Sequence, residues 1–268
     1  MLSETLRRAR TFLASARNAD ASWPYVPGKP SGVEPTCYAA MALQQPLTKA
    51  PGPHLQWEHA LTLLTLQRLN GSPQVCGSLT QTLLNTEVQH AAPNNAISEL
   101  DSNLRGWSWV DGTFSWVEPT SYAVLALKAA GQAGHPRVRE GERLLLDRVC
   151  FDGGWNYGNR KVRGEQLESM MPTTALAAMA LQQVPGAANT IDRALGLLGR
   201  EAETHPSALS LALTILCFGV FNQPAAKFVG ALTQRQQADG SWRGQVHLTA
   251  LSVLALQTVE GGANVFRI

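Results

Sequence analysis

The residues of this 268-residue chain best suited to chemistry are acidic side chains set among dense aromatic rings. The segment from Arg105 to Tyr122 holds Trp107, Trp109, Phe114, Trp116 and Tyr122 together with Asp111 and Glu118. Glu118 opens the phrase Glu118-Pro119-Thr120-Ser121-Tyr122, and the same phrase stands earlier as Glu34-Pro35-Thr36-Cys37-Tyr38. A glutamate in the first turn of a helix meets free amides and the positive end of the helix dipole, both of which favour its anion. Glu118 and Glu34 so placed would act as a base, as an anion that stabilises cationic charge, or as a cap. The aromatic segment would either line an apolar pocket or plug a packed core. A second segment, Asn156 to Ser169, carries Tyr157, Arg160, Lys161 and Arg163, then Glu165 and Glu168. Its cations suit a diphosphate or carboxylate head group, and its composition equally describes a solvated loop of mixed charge.

The elements that position these groups repeat. A Pro-Thr or Leu-Thr step opens a run of small and aliphatic residues at Pro35-Thr36, Pro119-Thr120, Pro172-Thr173-Thr174 and Leu248-Thr249. Each run follows a phrase in which an acid or glycine precedes tryptophan: Asp20 to Trp23, Asp111 to Trp116, Asp152 to Trp155 and Asp239 to Trp242. Two phrases in fixed order define an internal repeat. Helical periodicity then predicts outer helices near 3–17, 55–69, 94–104, 137–149, 189–201 and 225–237. Inner helices are predicted near 35–45, 74–89, 118–131, 172–184, 206–219 and 247–258. The inner set is rich in Ala, Leu, Met and Thr with almost no charge, whereas the outer set carries Arg, Glu and Lys on one face. Prolines 35, 119, 172 and 206 suit a first helical turn, where the missing amide proton costs nothing. The expected fold is all-α, an (α/α)6 toroid of six helical hairpins, with residues 1–268 in a single domain.

Composition narrows the functional classes. Lys and Arg number 22 against 20 Asp and Glu, a net charge of +2 spread thinly, so the strong field of a nucleic-acid binder is missing. The four cysteines lie far apart, each beside apolar residues, which suits free buried thiols in a reducing compartment and a cytoplasmic location. The N-terminal segment reads as an amphipathic helix rather than a signal peptide, and the apolar run Ala208 to Phe221 falls short of the about 20 residues that cross a bilayer. Membrane contact would be peripheral at most. The six histidines show no metal-ligand spacing, so neither metal nor any other cofactor is expected.

The phrase Asp239-Gly240-Ser241-Trp242, preceded by Lys227-Phe228 and Gln236-Gln237, resembles the glutamine-tryptophan repeat of triterpene cyclases. Arg8-Ala9, Phe12-Leu13 and Asp20 to Trp23 echo it, with Arg17 in the place of glutamine. The chain thus resembles, over essentially its whole length, the prenyltransferase and squalene-cyclase repeat proteins. The resemblance implies an α/α barrel that takes an isoprenoid or other hydrophobic molecule, with Trp109, Phe114, Trp116 and Tyr122 around an apolar cavity. It also implies Glu118, with Glu34 or Asp111, as the proton-transferring acid. Against the family's acidic signature Asp-x-Asp-Asp-Thr-Ala, the stretch Trp116 to Ser121 keeps Glu118 at the proton-donating position and replaces both acidic partners with Trp116 and Pro119. Cys37-Tyr38 is similar to the zinc-ligand region of the prenyltransferases, but Pro35 stands where their aspartate would be, and His247 is offset by one residue from their histidine. Gly164-Glu165-Gln166 resembles a thioester segment, with Arg163 in place of the acylated cysteine. Three functions follow as expectations: an atypical cyclase-like or lyase-type enzyme, a noncatalytic lipid-binding protein, or a scaffold. Since two-barrel relatives build their site with a second domain, a second chain or another copy of this one is an expected partner at the barrel mouth.

Overall fold

The computed structural model describes residues 2–90, 100–205 and 207–268. Among these residues eleven helices follow one another: α1 (Leu2–Ser15), α2 (Val33–Leu43), α3 (Gln56–Arg68), α4 (Pro73–Leu84), α5 (Val117–Ala129), α6 (Pro136–Asp147), α7 (Met171–Ala180), α8 (Ala188–Thr204), α9 (Ala208–Val220), α10 (Ala226–Thr233) and α11 (Val246–Val259). The two short strands β1 (Lys161–Val162) and β2 (Glu165–Gln166) form a hairpin before α7. Helices α2, α3, α5, α7, α9 and α11 each pack on the next, and α11 returns to α2, so six inner helices close a ring. Helices α1, α4, α6, α8 and α10 lie outside it, giving the α/α toroid.

Polarity decides which layer a helix joins. Helix α9 is apolar on almost every face and is buried almost end to end, whereas α8 buries only Ile191, Ala194, Leu195, Leu197, Leu198 and Ala202. One expected pair is exchanged: α3 is inner, with the run Ala60 to Thr65 buried, and α4 is outer, burying only Cys76, Leu79, Thr80 and Leu83. The few charges on 55–69 sit near its ends, while 74–84 meets solvent through uncharged Gln74, Ser78, Gln81 and Thr82. A lack of charge was therefore a poor sign of burial. The outer helix expected at 94–104 falls largely on residues 91–99, outside the described residues, as does Pro206. With α2 and α3 both inner, the link Gln44–Leu55 carries no outer helix over the groove between them.

The repeated phrases become one repeated joint. The indole N–H groups of Trp23, Trp107, Trp155 and Trp242 donate to the carbonyls of Leu13, Leu83, Leu145 and Leu232, near the ends of outer helices where carbonyls lack helical partners. The backbone N–H of each tryptophan donates to a threonine on the next inner helix: Thr36 and Thr120 at 2.9 Å, Thr174 at 2.9 Å and Thr249 at 3.0 Å. All four indoles are fully buried. Trp107, not Trp116, therefore fills the second joint; Trp116 is exposed and donates its backbone N–H to Trp107. The joint is tight, because a Cβ on Gly154 would stand 2.6 Å from Thr174 Oγ1.

The ring is closed at its seam and crossed at one end. Arg8 on α1 donates to the carbonyls of Gln237 and Ala238, and Gln236 donates to Thr5 O. Gly240 turns with φ +89 directly against Arg8 O, where no Cβ would fit. The C-terminal tail runs across the C-terminal ends of the inner helices. Arg68 donates to Val265 and Arg267, Gln182 to Phe266, and Asn264 to Leu216, with the Phe266 ring fully buried. The opposite end, where the inner helices begin, is left for the loops.

Candidate functional site

The inner-helix N-termini converge at that end. Val246 N at the start of α11 donates to Tyr25 O, Val117 N at the start of α5 donates to Tyr157 O, and Asp111 N donates to His54 O before α3. The joint threonines set a common register for four helices. Two residues before Thr36, Thr120, Thr174 and Thr249 stand Glu34, Glu118, Pro172 and His247; two residues after them stand Tyr38, Tyr122, Leu176 and Leu251. Spacing of four puts Glu34 above Tyr38 and Glu118 above Tyr122 on one helix face. The two phenols hydrogen-bond to each other at 2.8 Å and are almost fully buried. Since α3 lies between α2 and α5 in the ring, this bond passes on its inner side and floors the mouth beneath the two carboxyls.

Electrostatics at the mouth reverse the sequence expectation for Glu118. Burial, reinforced by the nearby Glu34 charge, raises its carboxyl from 4.5 to about 7. The helix dipole acts in the other direction and is outweighed, as a group losing water beside a like charge disfavours its anion. Glu34 is raised as well, by burial first, although the Tyr25 hydroxyl donates to its Oε2 at 2.8 Å. Neither glutamate caps its helix: the N-cap residues are Gly32 for α2 and Trp116 for α5, with no side-chain cap bond at either. Glu58 on α3 adds a third carboxyl to the same neighbourhood and accepts from Gly52 N at 2.7 Å.

His247 completes the register. Its ring meets Tyr25 edge-on at 5.3 Å, its Nδ1 is buried without a hydrogen-bond partner, and burial lowers its pKa. Tyr25, Glu58 and His247 were missed as site residues from sequence. Aligning the four joint threonines would have found His247, because it occupies the position of Glu34 and Glu118.

The other expected residues spread around this centre. Cys37 is fully buried beside it, its thiol pushed up to about 12 by burial, which keeps it protonated. Trp109 packs edge-on against Trp57 at 5.5 Å. Asp111 stands away from the glutamates, against His54 Nδ1 at 3.4 Å and Gln56 Nε2 at 3.1 Å. Phe114 and Trp116 line a side pocket of ≈ 220 Å³ with Arg148 and Asn159. Tyr157 is half exposed; Arg160 and Lys161 lead into the hairpin, and Arg163 sits in its turn with φ 52, followed by Gly164 at φ 87. The Val117–Tyr157 bond puts the aromatic and basic loops side by side. Tyr25, Val110, Phe114, Trp116, Tyr157, Leu167 and Met170 are exposed on loops that lead into inner helices, an apolar collar around the mouth. Among the described residues, no three His, Cys, Asp or Glu side chains are grouped to hold a metal ion. No helix among them is long and apolar enough to cross a membrane.

No protein-family model and no curated protein matches the chain. Two solved structures are similar in fold. A protein from Actinoplanes superposes with a TM-score of 0.65 at 19% identity, over 97% of this chain and 100% of that one. The type II terpene cyclase MstE from Scytonema superposes with a TM-score of 0.61 at 15% identity, over 97% of this chain and 99% of its own. At such identities the likeness concerns the fold, which is that of a terpene cyclase-like α/α toroid.

Proposed function

We propose that this chain is an atypical terpene-cyclase-like protein that takes a hydrophobic molecule of the isoprenoid class at the open end of its ring and exchanges a proton with it through Glu118. The observation that carries this reading is the place of Glu118, one turn above the buried Tyr38–Tyr122 pair and close to Glu34, where burial first and the Glu34 charge second raise its carboxyl to about 7. At neutral pH such a group is present in both forms, the condition under which it gives or accepts a proton most effectively. It is too weak an acid to protonate an isolated alkene, so the proposed step is proton removal or relocation in a substrate already activated, a lyase- or isomerase-like event. Burial raises Glu118 first, and the charge of Glu34, held by Tyr25, adds to it. The apolar collar would offer a landing surface for a poorly soluble molecule, and Arg163 on the neighbouring hairpin would pair with an anionic head group. The reading treats residues 1–268 as one toroid domain working in the cytoplasm without metal or cofactor.

A noncatalytic binding protein or scaffold is the second reading, favoured by the buried Tyr38–Tyr122 bond, which ties α2 to α5 across the ring interior. In that case the collar would receive a protein chain or a second copy.

Native mass spectrometry and solvent extraction of protein purified from its own kind of host separate the two. A stoichiometric hydrophobic molecule, consumed by the wild type and bound but unchanged in Glu118→Gln, is the expected result. Full turnover by that variant would sink the role of Glu118, and a protein that carries and binds nothing apolar would leave the scaffold.

A further inference from the structure

The pseudo-symmetry of the repeat breaks at one residue of the mouth. Two residues after the joint tryptophans Trp23 and Trp107 stand Tyr25 and Trp109, so the repeats that supply Glu34 and Glu118 differ in whether they also supply a hydroxyl. Tyr25 uses its own: the phenol donates to Glu34 Oε2 at 2.8 Å, and burial together with the Glu34 charge raises its pKa, so it keeps its proton. Trp109 packs against Trp57 instead, and among the described residues no hydrogen bond reaches the Glu118 carboxyl. The Tyr25 donor is held from several sides. Gly32 N donates to Trp23 O, Ser31 Oγ donates to Asp20 across the loop, Val246 N donates to Tyr25 O, and the Tyr25 ring meets His247 edge-on. A Cβ on Gly32 would stand 3.0 Å from Tyr25 Cε2.

We infer that Tyr25 is a positioning residue for the proton transfer: by donating to Glu34 it fixes the negative charge of the two-glutamate pair there and leaves the proton on Glu118. This role rests on the proposed proton exchange at Glu118, whereas the placement of charge is a property of the free chain. Neighbouring carboxyls in a low-dielectric site lose their protons in sequence, and a hydrogen bond to one anion favours that one going first. The other groups around the pair do not make this choice. Glu58 on α3 is a like charge that opposes ionisation of Glu34; Cys37 and Tyr38 on α2 and Tyr122 on α5 are buried and protonated; burial holds His247 on α11 toward its neutral form. No lysine or arginine charge among the described residues acts on either glutamate. Without the phenol, Glu34, more deeply buried and beside Glu58, would keep the proton, and Glu118 would become the anion.

Site-resolved carboxyl carbon NMR of the full chain, titrated with no ligand added, tests this charge assignment. A chain found to turn over nothing would remove the proposed reaction without touching it. In the wild type, Glu34 should ionise at lower pH than Glu118. Tyr25→Phe keeps the ring and the backbone bond to Val246, and should move the Glu34 midpoint up and the Glu118 midpoint down until they meet or exchange order. Replacement of Tyr25 by a ring-fluorinated tyrosine, a stronger donor of nearly the same shape, should move the midpoints further apart, a response that a packing role would not give. If Tyr25→Phe fails to fold, the fluorinated chain carries the test. Ionisation of Glu118 before Glu34 in the wild type would overturn the proposal, as would midpoints unmoved by either replacement. Movement of both midpoints in the same direction would overturn it too, since that reports a change in burial and not a transfer of charge between the two acids.

Discussion

The ionisation of Glu118 governs both the proposed chemistry and a measurable part of the stability. Its carboxyl titrates at 4.5 in the unfolded chain and at about 7 in the folded one, so between these values the folded state holds more protons. Stability therefore falls as pH rises from about 4.5 to about 7 and is flat above, with a span of about 3 kcal/mol at most. Urea midpoints at pH 5 and pH 8 should show this decline in the wild type and much less of it in Glu118→Gln. Glu34 contributes with the same sign, and Glu34→Gln should bring the Glu118 titration, followed by carboxyl carbon NMR, back toward lower pH. Little of this was legible beforehand. The Glu-Pro-Thr phrase located the two acids and their phenols one turn deeper, but the sign of the Glu118 shift depends on burial and on a carboxylate from a different repeat. Neither quantity exists until the ring closes.

The tryptophan–threonine joint is the element that turns a list of helices into a ring. Each joint ties an outer helix end, a connecting loop and the next inner helix through buried hydrogen bonds, so losing one group strands another. Thr174→Ala leaves the Trp155 amide unpaired and should cost about 1–3 kcal/mol in thermal or urea unfolding, whereas its exposed neighbour turns carry no such burden. At the other end of the same hairpins, Lys128 on α5 bonds Glu142 at 2.7 Å and donates to the carbonyls of Ala180 and Gln182, all within the buried layer. Lys128→Ala should be destabilising by about 3–5 kcal/mol, because it leaves a buried carboxylate and two carbonyls without a partner. The joints were readable in sequence as two phrases at fixed order, and three of the four tryptophans were placed correctly. The second was not, since Trp107 and Trp116 both precede Thr120 and only packing distinguishes them. The exchange of α3 and α4 has a similar cause: the sequence displays polarity, while layer membership depends on how many sides of a helix are covered.

At the scale of the whole molecule, the ring is sealed by contacts between residues far apart in sequence, Arg8 with Gln237 and Arg68 with Val265. Phe266→Ala, at the centre of the tail, should lower stability by about 3–5 kcal/mol through the cavity it leaves, read as a drop in Tm. The toroid itself was foreseeable because a repeat that buries only one face must stack, and stacked repeats that meet their own beginning need no caps. The tail across the far end was not, since Asn264 to Ile268 carries no repeat phrase. Its presence has a kinetic corollary. For the proposed substrate, a tail laid across one end leaves the loop end as both entrance and exit, so a departing molecule and its successor would contend for the same passage. In turnover, product should inhibit competitively against substrate.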